Sequence, residues 1–106
     1  MKMKKAILGL VFTLLFCEIV SAGMLYGRII KEDGTPLANT KIFIEDKEVI
    51  TNEFGGYAIG LPDGERELNV VINGISYISE HIIIYSPETK QNWRIDSGEK
   101  RLIKIR

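Results

Sequence analysis

After residue 23 the chain shows no helical period; its apolar residues recur at every second position in short runs, and a turn signal interrupts them roughly every eight to twelve residues. Such a pattern buries one side of a pleated strand and none of a helix, so the chain must pair strands into a sandwich or barrel. Leu25, Gly27 and Ile29 alternate with Tyr26, Arg28 and Ile30, until Glu32-Asp33-Gly34-Thr35-Pro36 supplies turn residues and a proline that cannot donate to a ladder. Thr40, Ile42 and Ile44 then point one way and Lys41, Phe43 and Glu45 the other, with a turn expected at Asp46-Lys47 before Val49 and Thr51. Past the loop Asn52-Glu53-Phe54-Gly55-Gly56, the next inward faces are Tyr57, Ile59, Leu61 and then Leu68, Val70, Ile72, separated by Pro62-Asp63-Gly64. Asn73-Gly74 is the strongest hairpin signal in the chain. Residues 75–85 make one bent strand or two short ones; after Ser86-Pro87-Glu88, Trp93 with Ile95 and Ile103 with Ile105 mark the last strands. The expectation is an all-β fold of about seven to eight strands, with Leu25, Ile29, Ile42, Ile44, Tyr57, Ile59, Leu68 and Val70 sharing one core because they share one phase.

The first 22 residues follow different rules. Lys2, Lys4 and Lys5 precede an apolar run from Ala6 to Phe16, and the segment ends Val20-Ser21-Ala22. A basic start, an apolar centre and small residues at the cut describe a secretory signal helix cleaved after Ala22, leaving residues 23–106 as one domain in the periplasm or outside the cell. A permanent span needs about 17–25 apolar residues, and this run is shorter and meets Glu18. Cys17, the only cysteine, follows Phe16 rather than the small residue a lipid-attachment site wants, so the exported domain is expected to carry neither a lipid nor a disulfide. Positive and negative side chains balance at 14 each over the whole chain, and 11 basic and 13 acidic ones remain beyond residue 22. That balance does not suit a domain built to attract nucleic acid.

The turns carry a family resemblance. Gly27-Arg28-Ile29-Ile30-Lys31-Glu32-Asp33-Gly34-Thr35-Pro36-Leu37-Ala38-Asn39-Thr40 resembles the opening of carboxypeptidase regulatory-like domains, and Thr51-Asn52-Glu53-Phe54-Gly55-Gly56-Tyr57 followed by Leu61-Pro62-Asp63-Gly64 resembles their next two turns in order and spacing. Asn52 stands where that family more often has Asp, and Arg66 where an aromatic is common. The resemblance implies a transthyretin-like (Ig-like) β-sandwich that serves as an accessory to other exported proteins, without catalysis of its own.

Candidate chemistry is sparse. His81 is the only histidine and Ile82-Ile83-Ile84 follow it, which is not a zinc-peptidase pattern. Transthyretin-related hydrolases use several histidines and a Y-R-G-S tail, whereas this chain ends Ile103-Lys104-Ile105-Arg106. Asp33, Glu53, Asp63 and Glu65 are spread over three turns, while calcium wants about six to eight closely placed oxygens. Neither a catalytic set, a metal nor a cofactor is therefore expected. The remaining candidates are large aromatics that strand phase or position leaves free for contact: Trp93, Tyr26, Phe43 and Phe54. They point to a non-catalytic module that binds another exported or envelope protein, with a glycan-binding sandwich as the alternative and a small hydrolase as the remote one.

Overall fold

The computed structural model describes residues 22–106; the expected signal segment lies outside them apart from Ala22, the first residue of β1. The described chain is all strand and turn: β1 (Ala22–Ile30), β2 (Lys41–Ile44), β3 (Lys47–Ile50), β4 (Gly56–Pro62), β5 (Gly64–Arg66), β6 (Asn69–Ile72), β7 (Ile75–Ser79), β8 (Ile82–Ile84), β9 (Glu88–Lys90), β10 (Asn92–Asp96) and β11 (Arg101–Ile105). The surplus over the expected number comes from β5, β8 and β9, three residues each, which are too short to show a period. No helix among the described residues is long and apolar enough to cross a membrane.

One mixed sheet runs β3-β2-β6-β7-β11-β10-β1-β4 with β9 also alongside β1, and β5 pairs with β8 in a small second sheet. The large sheet curls until its first and last strands approach, in the manner of a β-sandwich: Lys47 on β3 donates from Nζ to the Gly60 carbonyl on β4 at 2.7 Å. Residues 75–85 resolve into the two-strand alternative because β7 joins the large sheet while β8 crosses to β5.

All eight residues of the expected core are buried and lie in one cluster with Leu37, Leu61, Ile72, Tyr77, Ile82, Ile84, Trp93, Ile95 and Leu102. Two boundaries differ from expectation. The β2–β3 turn is Glu45-Asp46, both at positive φ (50° and 73°), with Lys47 already paired to Ile44; a two-residue hairpin needs that left-handed pair to match strand twist. In β11 the buried residue is Leu102, while Ile103 and Ile105 are half-buried on the other face. Asn73 and Gly74 make the expected hairpin at φ 52° and 81°, joining Ile72 to Ile75.

Trp93 is 1% exposed, which removes it from the surface candidates. Strand phase alone says which residues share a face, not which face is inward, and here the Trp93–Ile95 face is the inward one. Its indole Nε1 donates to the Tyr57 hydroxyl at 2.9 Å, and that hydroxyl donates to the Gln91 carbonyl at 2.8 Å. Burial pushes the Tyr57 phenol well above its ordinary value, with the Trp93 hydrogen bond opposing part of the rise. The folded chain therefore holds this proton where the unfolded chain, titrating near 10, releases it. The Tyr57 contribution is complete below about pH 10 and is lost as pH rises beyond it, at up to about 1.4 kcal/mol per unit. Urea melts between pH 9 and 11 are expected to show the gap between wild type and Tyr57→Phe shrinking in that sense; a constant gap would contradict the raised phenol.

Candidate functional site

Both ends of the large sheet leave backbone groups open, and hydrogen-bond alternation identifies them. In an antiparallel pair, residues alternate between bonding the neighbour and pointing away from it. Ile29 N–H donates to the Gly55 carbonyl, which fixes the phase between β1 and β4. In agreement, Met24 N–H and the Tyr26 carbonyl bond on the opposite side of β1, to Pro87 and Gln91. Their register partners Gly60 and Ala58 on β4 accordingly turn their N–H and C=O away from β1, toward the free edge. On the other wall, the Thr51 N–H bond to the Thr40 carbonyl sets the phase, so Glu48 and Ile50 on β3 face outward in the same way.

A groove of about 620 Å³ lies between these edges, lined by Tyr26, Glu48, Val49, Ile50, Ala58 and neighbouring residues. Lys47 closes one end by its bond to Gly60. The β3–β4 loop closes the other, and its shape is local chemistry: Asn52 Oδ1 accepts from the N–H groups of Phe54 and Gly56, both at 2.8 Å, while Asn52 N–H donates to the Gly56 carbonyl at 3.0 Å. Asn52 thus shapes the turn as an Asp would, since both side chains offer an acceptor oxygen to N–H groups that follow. Gly55 takes φ 79° in this loop, and an added Cβ would sit 2.5 Å from the Ile29 carbonyl.

The two walls differ in character. β3 is short and carries Lys47 and Glu48, the charges by which natural edges resist pairing. β4 is seven residues long, Gly-Tyr-Ala-Ile-Gly-Leu-Pro, with no charge and with the small residues Gly56, Ala58 and Gly60 in its outward positions. Its cover comes from Asn52 at Gly56, from the Lys47 side chain on Gly60 and from Arg66 on the Pro62 carbonyl at 3.4 Å, at positions on either side of Ala58.

The aromatic candidates fall around this groove to different degrees. Tyr26 lines it and is half-buried. Phe54, 62% exposed, stands at the tip of the loop that joins its walls, its carbonyl accepting from Arg28 Nε at 3.1 Å. Phe43 lies one strand further out, 38% exposed and directly across from the groove residue Glu48. Trp93 is in the core. Nothing in the local pattern singles out Ile50, which is 63% exposed on the β3 wall. Its exposure follows from being on the outer face of an edge strand, which requires knowing the strand order.

The titratable candidates remain apart. Asp33 accepts from Thr35 N–H and Oγ1 at 3.0 and 2.7 Å, and these bonds hold its carboxyl below the usual range. Asp63 accepts from the Ser86 hydroxyl, and Glu65 lies 3.6 Å from His81 Nδ1 with both side chains exposed. Among the described residues no cluster of three or more His, Cys, Asp or Glu side chains is placed to hold a metal.

No protein-family model matches the chain, and no curated protein matches it. Among solved structures it is similar to the crystal structure of a DUF3823 family protein from Parabacteroides merdae, at 18% sequence identity and a TM-score of 0.46. The alignment covers 80% of this chain and 46% of that one, so this chain spans less than half the length of its neighbour.

Proposed function

We propose that this chain is an exported, non-catalytic accessory module of the carboxypeptidase regulatory-like kind, which binds an extended segment of another exported or envelope protein along the edge of β4. The carrying observation is the seven-residue, uncharged edge with the Ala58 N–H and C=O directed into an open groove. An edge of that kind supplies main-chain hydrogen bonds to an added strand, and groove side chains such as Tyr26 and Ile50 supply selectivity. Export is supported by the basic, apolar, small order of residues 1–22, and the accessory role by the three turn motifs in family order. The glycan alternative would want a flat row of exposed aromatics, whereas Tyr26, Phe43 and Phe54 sit on a strand wall, an outer face and a loop tip.

A photo-cross-linking residue at Ile50, in protein made in its native host, is expected to give one dominant adduct with an exported protein, and the same probe at exposed Arg94 to give none. Adding Ala58→Pro removes the edge donor without touching the ladder to β1. It is expected to cut the Ile50 adduct about tenfold or more, the loss of roughly one charge-free edge bond plus steric blocking, at a nearly unchanged urea midpoint. An adduct of equal yield after Ala58→Pro, or at Arg94, would overturn the edge as the contact.

A further inference from the structure

We infer that the molecule carries a second binding site, separate from the groove: a pocket among its turns for a small uncharged molecule with an apolar body and one hydrogen-bonding group. The cavity has a volume of about 370 Å³ and is framed by the turn after β1, the β6–β7 hairpin and the turn after β10. The register brings these turns to one end of the sandwich, since β1 and β10 run parallel with Ile30 beside Arg94, and β6 meets β7 at Ile72 and Ile75. That volume lies within the range of about 300–1,000 Å³ usual for small-molecule sites.

Three features define the occupant. The walls are aliphatic: Leu37, Ile72 and Ile95 are buried, and Ile75 is 43% exposed. Tyr77 lines the same cavity at 6% exposure, and its hydroxyl makes no hydrogen bond to any described residue. With no partner in the protein and not sealed from solvent, that hydroxyl is free to exchange water for a donor or acceptor on the occupant. The rim acids are already engaged: the Glu32 carboxylate accepts from Ser97 N–H at 2.8 Å and from Ser97 Oγ at 3.0 Å, and Asp33 is held by Thr35. The Glu32–Ser97 bonds also tie two of the framing turns together, so the pocket is formed before anything enters it. Glu32 and Asp33 outnumber Lys31 on the rim, which disfavours an anion, and aliphatic walls give a cation nothing to replace its water. A neutral ring or branched alkyl group bearing a hydroxyl or carbonyl fits all three features.

Amide-signal NMR titrations with 4-ethylphenol and with ethylbenzene test this. Both probes are expected to give saturable shifts at Ile72, Ile75, Tyr77, Ile95 and Ser97, and 4-ethylphenol to leave Ile50 and Ala58 unmoved. Tyr77→Phe is expected to weaken 4-ethylphenol about fivefold, the usual worth of one neutral hydrogen bond, and ethylbenzene by less than twofold. Ile75→Glu, a substitution at an exposed position, should weaken both probes by bringing a charge to the mouth. Shifts that never saturate, that centre on the groove instead, or that fall equally for both probes in Tyr77→Phe would overturn the site. Of these outcomes only shifts centred on the groove involve the β4 edge, and they leave the Ile50 cross-linking test of that edge unchanged.

Discussion

Trp93→Ala is expected to lower the unfolding free energy by about 3–5 kcal/mol, read as a fall in urea midpoint at constant slope. Trp93 sits on β10 between β1 and β11, in register with Ile29 on one side and Lys104 on the other, and is 1% exposed. Truncation removes the largest of the fully buried side chains and leaves a cavity that neighbouring strands, pinned by their ladders, fill only in part. It also strips the donor from the Tyr57 hydroxyl, which retains its own bond to Gln91. Trp93→Phe separates these losses, since most of the packing stays while the Nε1 bond goes; a cost of about 1–2 kcal/mol is expected, one hydrogen bond plus the smaller volume. A loss below 1 kcal/mol in Trp93→Ala would mean that the indole is solvated and belongs with the surface candidates after all.

Local pattern made the strand faces legible and left their neighbours dark. Ile42 and Ile44 or Leu68 and Val70 could be placed inward because an adjacent polar residue contrasted with each. Trp93 and Ile95 showed the same contrast, with Arg94 between them, so the surface reading of Trp93 set that contrast aside, and the assembled sheet places the pair inward. Turn chemistry was legible where it depends on two residues, as at Asn73-Gly74, and slipped by one at Glu45-Asp46, where Asp46 fits either turn position. The groove was invisible for a topological reason. β3 and β4 are consecutive in the chain but lie at opposite ends of the strand order, and only the curl of the sheet returns them to each other. The pocket at the turns depends likewise on Glu32 meeting Ser97, 65 residues later. Of the aromatic candidates, Phe54 was placed well because its loop residues announce the turn, and Phe43 because Lys41 and Glu45 share its face.

Gly27→Ala is expected to be the most damaging small substitution in the chain, at about 3 kcal/mol, the upper end of ordinary overpacking costs. Its position in the alternation gave it the same inward phase as Leu25 and Ile29, with no sign that a side chain would be excluded. The reason is a change of partner along β1, whose first half runs beside β9 and whose second half runs beside β10. Gln91 bridges the two, its N–H bonded to the Tyr26 carbonyl at 2.9 Å, and Asn92 Oδ1 accepts from Arg28 N–H at 2.9 Å. A methyl group on Gly27 would fall within the Gln91 carbonyl, with Asn92 Oδ1 3.1 Å away. Gly27 has no left-handed backbone, so the requirement is for space alone. Relief demands moving the Gln91 backbone, which also carries the acceptor for Tyr57 and so the chain of bonds to Trp93. Gly60→Ala is the matched control, because nothing lies within 4 Å of a Cβ there and its backbone is not left-handed. That variant is expected to be neutral or to gain up to about 1 kcal/mol by restricting the unfolded chain. Melts in which the two substitutions cost the same would show that β9 and β10 yield easily at Gln91, and that the close approach to β1 is not what fixes this side of the sheet.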